Sequence, residues 1–266
     1  MTRTPLFALP VCLLFTGCLV QERATPAFEI GFDAATQYNH RGMVQNEEGV
    51  LQTNAVIGLP LKGDGLLRLT GFANMDLSND TGDAWFPEGH AGEFSEVDLG
   101  ASYSRDFEGF AIAAGIVSYV LPNGDDFPLA GERGETKELF ASVGREVFGF
   151  FPAIIVHYDF DEVDDYYVEA EVSRSFELAD KLSAKLTAGV GYSGEDASLW
   201  TYGIDESGLS DLRGSGSVLY AYDDRTVFDV TVGASTILDD GIEEWFDIIE
   251  VEQDNVWVSA GVTFTF

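Results

Sequence analysis

Val256-Trp257-Val258-Ser259-Ala260-Gly261-Val262-Thr263-Phe264-Thr265-Phe266 closes the chain and decides its fold. Val256, Val258, Ala260, Val262, Phe264 and Phe266 fall on one face, and Trp257, Ser259, Gly261, Thr263 and Thr265 on the other. Alternation at period two marks a strand with two unlike faces. An apolar outside over a small or polar inside is what lipid on one side and water on the other demand. A soluble sandwich can also end on an amphipathic strand, but here the strand runs flush to a terminal aromatic.

Gly261, Phe264 and Phe266 stand where the C-terminal insertion signal of bacterial outer-membrane β-barrels has its glycine and aromatics, and the segment resembles that signal. The resemblance implies the barrel-assembly machinery as a partner and the outer membrane of a Gram-negative-type bacterium as the destination. Upstream, from Phe28, the chain divides into about twelve alternating stretches of the length a tilted membrane strand needs. They are expected at 28–38, 51–61, 66–77, 96–105, 110–121, 137–147, 152–160, 166–176, 181–193, 212–222, 226–238 and 255–266. The predicted fold class is all-β: an antiparallel up-and-down transmembrane barrel occupying residues 28–266 as one domain.

The connections alternate in length, which supports this reading independently. Tight turns such as Lys62-Gly63-Asp64-Gly65 follow even-numbered strands, and mostly long loops follow odd-numbered ones. Short turns on one rim and long loops on the other are the asymmetry of periplasmic turns and extracellular loops. Arg105, Arg145 and Arg174 lie on the lipid-facing parity at the short-turn rim, a membrane-interface position from which a guanidinium reaches phospholipid head groups. Exposed rim arginines without a lipid role are the plainer alternative.

The N-terminal residues 1–27 read as a secretory signal peptide: Arg3, then an uncharged apolar stretch too short and proline-broken to span a bilayer. Thr25-Pro26-Ala27 offers one cleavage site. Phe15-Thr16-Gly17-Cys18 resembles a lipoprotein box and offers another, with lipidation of Cys18. Cys12 and Cys18 are the two cysteines of the chain, so the body carries no thiol for disulfides or metal binding. The formal net charge is −32, a field that repels phosphate and argues against nucleic acid as a partner.

On the inward parity lie Glu29, Asp33, Gln37, Asn54, Arg68, Asn74, Glu96, Asp98, Glu138, His157, Asp159, Glu169, Glu171, Lys185, Arg213 and Asp229. Carboxylates outnumber bases, which suits a water-filled ion path for cations or small polar solutes. The same groups could interlock as a plug, since a barrel of this size is narrow. The outer loops carry Glu47, Glu48, Asp80, Asp83, Glu88, Glu93, Asp125, Asp126, Asp161, Glu162, Asp164, Asp165, Asp239, Asp240, Glu243 and Glu244, an acidic mouth that gathers cations. No dedicated metal site is assigned to them: the Asp159–Asp165 run lacks the central glycine of a helix-flanked calcium loop. No cofactor is expected.

Catalysis needs a base with a positioned partner. His157 and Asp159 share a face and could form such a pair, as in an outer-membrane hydrolase, but a second carboxylate pair is not identifiable and no His-x-Ser arrangement is present. The expectation is therefore a non-enzyme without catalytic residues.

Tyr38-Asn39-His40-Arg41-Gly42-Met43-Val44-Gln45, followed by Leu51-Gln52, is similar to the Tyr-x-x-Arg-Gly-x-x-Gln segment of the uncharacterised Gcw_chp family of bacterial outer-membrane proteins. That resemblance implies a barrel of unassigned function. Tyr38 is then expected to end the first strand at the outer interface. Arg41 and Gly42 begin the first loop and latch it, with glycine permitting the turn and Arg41 free to meet acidic groups. The expected function is a narrow, porin-like passive channel in outer-membrane lipid. The alternative is a plugged barrel acting structurally or through its acidic loops.

Overall fold

A computed structural model describes residues 26–80, 88–124 and 134–266. The leader with Cys12 and Cys18, and the loop residues Asp83, Asp125 and Asp126, lie outside the described residues. Twelve strands form one closed antiparallel barrel. In chain order they are β1 (Ala27–Ala35), β4 (Val50–Leu61), β5 (Gly65–Asp76), β6 (Phe94–Phe107), β7 (Phe110–Val120), β8 (Glu135–Gly144), β9 (Phe151–Asp159), β10 (Tyr166–Ala179), β11 (Leu182–Ser193), β12 (Gly208–Ala221), β13 (Thr226–Ile237) and β14 (Asp254–Thr265). Each pairs with its sequence neighbour, and β1 pairs with both β4 and β14, which closes the sheet.

The faces sort as the alternation requires. Phe32, Leu69, Leu99, Ile154, Val172, Leu186, Val230 and Val256 point outward and stay exposed, while Asp33, Asn74, Asp98, Glu138, Glu171 and Asp229 are buried. Exposed aliphatics around a girdle and polar groups inside suit a protein whose solvent is a bilayer. Among the described residues no helix is long and apolar enough to cross a membrane; the strands do the crossing.

The short turns are tight hairpins. Glu108 and Gly109 link β6 to β7 with φ of 51° and 81°, and Phe148 and Gly149 repeat that pattern at 54° and 79° between the bridged residues Val147 and Phe150. Two successive positive φ values characterise the two-residue turn whose twist matches antiparallel strands. At this rim the first and last barrel strands meet: Phe266 N donates to Phe28 O at 2.8 Å, and the two rings stack with centroids 5.7 Å apart. Arg145 lies over the Phe110 ring at 5.2 Å, and Arg174 over Phe150 and Phe176 at 4.7 and 4.9 Å. Arg105 is exposed on the same rim.

The opposite rim departs from the sequence expectation at the first strand. β1 ends at Ala35, before Tyr38; Thr36 makes its last ladder bond to Val258 O at 2.9 Å and the chain turns inward. Residues 36–49, loop L1, contain a small hairpin of β2 (Tyr38–His40) and β3 (Met43–Asn46). Two short helices also form in the long connections of this rim, α1 (Glu195–Tyr202) and α2 (Asp240–Ile249). The side chain of Asp239 caps α2 by accepting from the Gly241 and Ile242 N–H groups. Ile242, Phe246 and Ile249 then turn one face of α2 onto Met43, Tyr202, Ile237 and Val251. This apolar cluster at the outer mouth gives L1 something to pack against.

Candidate functional site

Loop L1 lies across the barrel. His40, Arg41, Gly42 and Met43 make a two-residue hairpin turn with φ of 49° at Arg41 and 83° at Gly42. The glycine is needed twice over: its φ lies in the left-handed region, and a Cβ there would sit 2.4 Å from Asp211 Cβ. Arg41 holds the same strained region without that licence, a cost of about 1–3 kcal/mol that its contacts must offset.

Those contacts reach the far wall. Arg41 Nη2 donates to both carboxylate oxygens of Glu138 on β8, at 2.6 and 2.7 Å, and its guanidinium lies 4.5 Å above the Tyr167 ring of β10. Tyr119 OH donates to Glu138 Oε2 at 3.1 Å. Tyr202 OH donates to the Arg41 carbonyl at 2.8 Å, and Ser235 Oγ to the Gly42 carbonyl at 3.0 Å. Tyr38 OH donates to Glu96 Oε2 at 3.0 Å. Burial alone would lower the pKa of Arg41, but the Glu138 carboxylate beside it more than offsets this and leaves it above its ordinary value. Burial first, then the Arg41 charge, pushes His40 down to about 3, so its imidazole is neutral at neutral pH.

A second network lies beside the first. Arg213 Nη2 is 3.1 Å from Glu169 Oε2 and donates to Tyr167 OH at 2.9 Å, and Arg213 Nε is 2.8 Å from Asp211 Oδ2. Tyr167 OH donates to Asp211 Oδ1 at 2.8 Å. Tyr167 is therefore shared: Arg41 covers its face and Arg213 meets its hydroxyl.

L1 separates two cavities. The outer one, about 90 Å³, is bordered by Asp76, Glu96, Glu138, Asp159 and Asp165 with Trp200 of α1. The inner one, about 180 Å³, is bordered by Asp33, Asp98, Glu169, Glu171, Lys185 and Arg213 with Trp257. Tyr38, His40, Arg41 and Tyr119 border both, so one layer of side chains stands between them.

The structure brings Glu96, Glu138 and Asp159 to the outer cavity, and Asp33, Asp98, His157, Glu169, Glu171, Lys185 and Arg213 to the inner one. Asp229 lies inward beside Asp33, and Glu29 stays half-buried near the short-turn rim, bordering neither cavity. Tyr38 ends no barrel strand; it belongs to β2 and is buried. His157 and Asp159 are not partners. His157 Nδ1 lies 3.3 Å from Glu138 Oε2, out of line for a hydrogen bond, whereas Asp159 accepts from Thr136 Oγ1 and from the Asp161 and Val163 N–H groups. The physical reason is register: Glu138 stands directly opposite Asp159, and like charges there repel, so Asp159 turns to the loop amides and Glu138 is left to the diagonal neighbour. Several outer carboxylates likewise do structural work; Asp165 accepts from Ala197 N at the start of α1, and Lys137 holds Asp161 at 2.5 Å. Sequence reading missed Tyr119, Tyr167, Tyr202 and Asp211, the groups that connect the two networks.

Neither a family model nor a curated protein matches the chain. Its fold is shared by solved structures of low identity. An outer-membrane channel from Pseudomonas putida is 10% identical, with 91% of this chain and 95% of that one covered at a TM-score of 0.55. The NanC porin is 6% identical over 88% of this chain and 98% of its own, at 0.53. LpxR from Salmonella typhimurium is 11% identical over 89% and 99%, at 0.51. The fold is thus the closed twelve-stranded antiparallel barrel of those outer-membrane proteins. The expectation of a non-enzyme is corrected by the same comparison: LpxR is an outer-membrane enzyme, so this architecture gives no ground for setting catalysis aside.

Proposed function

We propose that the chain is a narrow outer-membrane channel for cations or small polar solutes, constricted by loop L1. The observation that carries this is the pair of carboxylate-bordered cavities separated by the Tyr38-His40-Arg41-Tyr119 layer. Carboxylates outnumber bases around both compartments, strongly at the outer one and by a single charge at the inner one, a balance that favours cations over anions, and Arg41 sets a positive charge in the layer between them. In this reading Tyr38, Arg41 and Gly42, the segment that is Gcw_chp-like, are the seat of the constriction. Arg105, Arg145 and Arg174 rest at phospholipid head groups, and Gly261, Phe264 and Phe266 present the final strand to the barrel-assembly machinery.

A second reading has its own support. Arg41 and Tyr38 tie L1 to β8 and β6 by short polar contacts, which favours a shut barrel acting as a scaffold or through its acidic loops. Conductance in planar bilayers separates the two. Steady cation-selective steps support the channel; silence at high protein load, relieved when L1 is loosened, supports the shut barrel. Silence that persists in a loosened variant sinks the channel.

A further inference from the structure

We infer that Asp33 on β1 and Asp229 on β13 form a binding site for a hydrated divalent cation across Gly261 of β14. Gly261 is the register partner of both residues, so the three positions lie side by side at one level of the wall. A Cβ built on Gly261 would lie 2.1 Å from Asp33 Oδ1 and 2.9 Å from Asp229 Oδ1; two oxygens that close to one point are at most 5.0 Å apart. The side chains lean towards each other over the one intervening residue, which has no side chain to keep them apart.

Both carboxylates are buried, 6% and 7% exposed, and among the described residues neither is ion-paired. Asp229 Oδ2 is buried without a hydrogen-bond partner, and Asp33 Oδ2 receives Asn54 Nδ2 at a long 3.4 Å. This differs from Glu138, Glu169 and Asp211, which have arginines against them. Two adjacent buried charges without a base are expensive. A divalent ion neutralises both at once, and hard divalent cations are bound by one or two carboxylates with the remaining positions filled by water or amide oxygen. A gap of at most 5.0 Å suits metal–oxygen distances of about 2.0–2.6 Å, and Asn54 stands beside it. Asp33 borders the inner cavity, which supplies water and a way in. The proposal rests on the channel reading for the ion's route and adds a named resting place on it. Gly261 then has a use besides the insertion signal: any larger residue would fill the site.

The test uses the full barrel refolded in detergent, stripped with chelator, and titrated calorimetrically with magnesium chloride alone and with calcium chloride alone. Its comparison is the near-isosteric Asp33→Asn, Asp229→Asn double variant, in which every loop carboxylate remains. The expected result is one more divalent ion bound by the wild type than by the variant, together with a cation-dependent rise in thermal midpoint that the variant loses. Equal stoichiometry and equal rises overturn the site and leave a shared proton as the neutralising partner. Where the double variant does not refold, Asp229→Asn alone is judged by the same two readouts. Bilayer silence in a barrel that still binds the extra ion sinks the channel reading but not the site; cation-selective conductance without the extra ion does the reverse.

Discussion

Arg41 Nη2 meets both oxygens of Glu138 across 97 residues of sequence, and this contact ties a loop turn to the opposite barrel wall. Removing Arg41 leaves a buried carboxylate beside His157 and Tyr119 with no guanidinium against it. Arg41→Ala is expected to destabilise the folded barrel by about 3–5 kcal/mol, the range for breaking one partner out of a buried pair. A urea midpoint in detergent measures it, and conductance steps should be larger than in wild type. Arg41→Lys should recover part of the stability, since it restores the charge but not the contact above Tyr167.

Gly42→Ala tests the seat of L1. Its Cβ would meet Asp211 and its φ of 83° is strained for any L side chain, so a loss of more than about 1 kcal/mol is expected. Limited proteolysis of the folded barrel should show cleavage within 36–49 that is slower in the wild type.

Acid should weaken the L1 layer through His40. Its folded pKa of about 3 lies below its ordinary value of 6.5, so the unfolded chain binds the extra proton first. His40 therefore gives its full contribution above about pH 6.5 and loses it as pH falls towards 3. The slope is at most about 1.4 kcal/mol per pH unit, reduced by water in the two cavities beside it. Thermal midpoints of wild type and His40→Gln should converge between pH 7 and pH 4; parallel curves contradict the assignment.

Glu169→Gln with Glu171→Gln reports on selectivity. Both residues border the inner cavity, and their loss should shift the reversal potential under a salt gradient towards zero. Unchanged reversal potentials reject them as path residues.

Phe266→Ala separates folding from delivery. The ring stacks on Phe28 at the seam, a modest contact of about 0.5–1.5 kcal/mol. Refolding in detergent should survive the change, while the amount of barrel assembled in the outer membrane of cells should fall several-fold.

Sequence reading recovered the barrel because each spanning strand declares itself by alternation. It lost the interior wherever alternation stops. L1 mixes Tyr38, His40, Met43 and Val44 without a period, so nothing local says that it folds inward rather than out. The Arg41-Gly42 pair did carry a turn signal, and the hairpin turn of L1 falls on it, although Tyr38 lies within the loop. Asp211 was hidden because the strand was expected to begin at residue 212, whereas β12 begins at Gly208 and carries Asp211 on the same face as Arg213. The α2 helix was legible in principle: Asp239 at the cap, then Ile242, Phe246 and Ile249 at helical spacing. His157 was paired with the wrong carboxylate because alternation along one strand shows which residues share a face but not the cross-strand register, which sets Glu138 opposite Asp159 and diagonal to His157.

The pairing of β1 with β14 has a cost in time. Residue 30 finds its partner at 264, so the earliest strand waits, edge open, for the last one to be made and delivered. Such distant contacts fold slowly, and an unpaired edge invites other chains. A polypeptide built this way needs escort between synthesis and insertion, and its acidic surface, repelling its own copies, is one safeguard it carries with it.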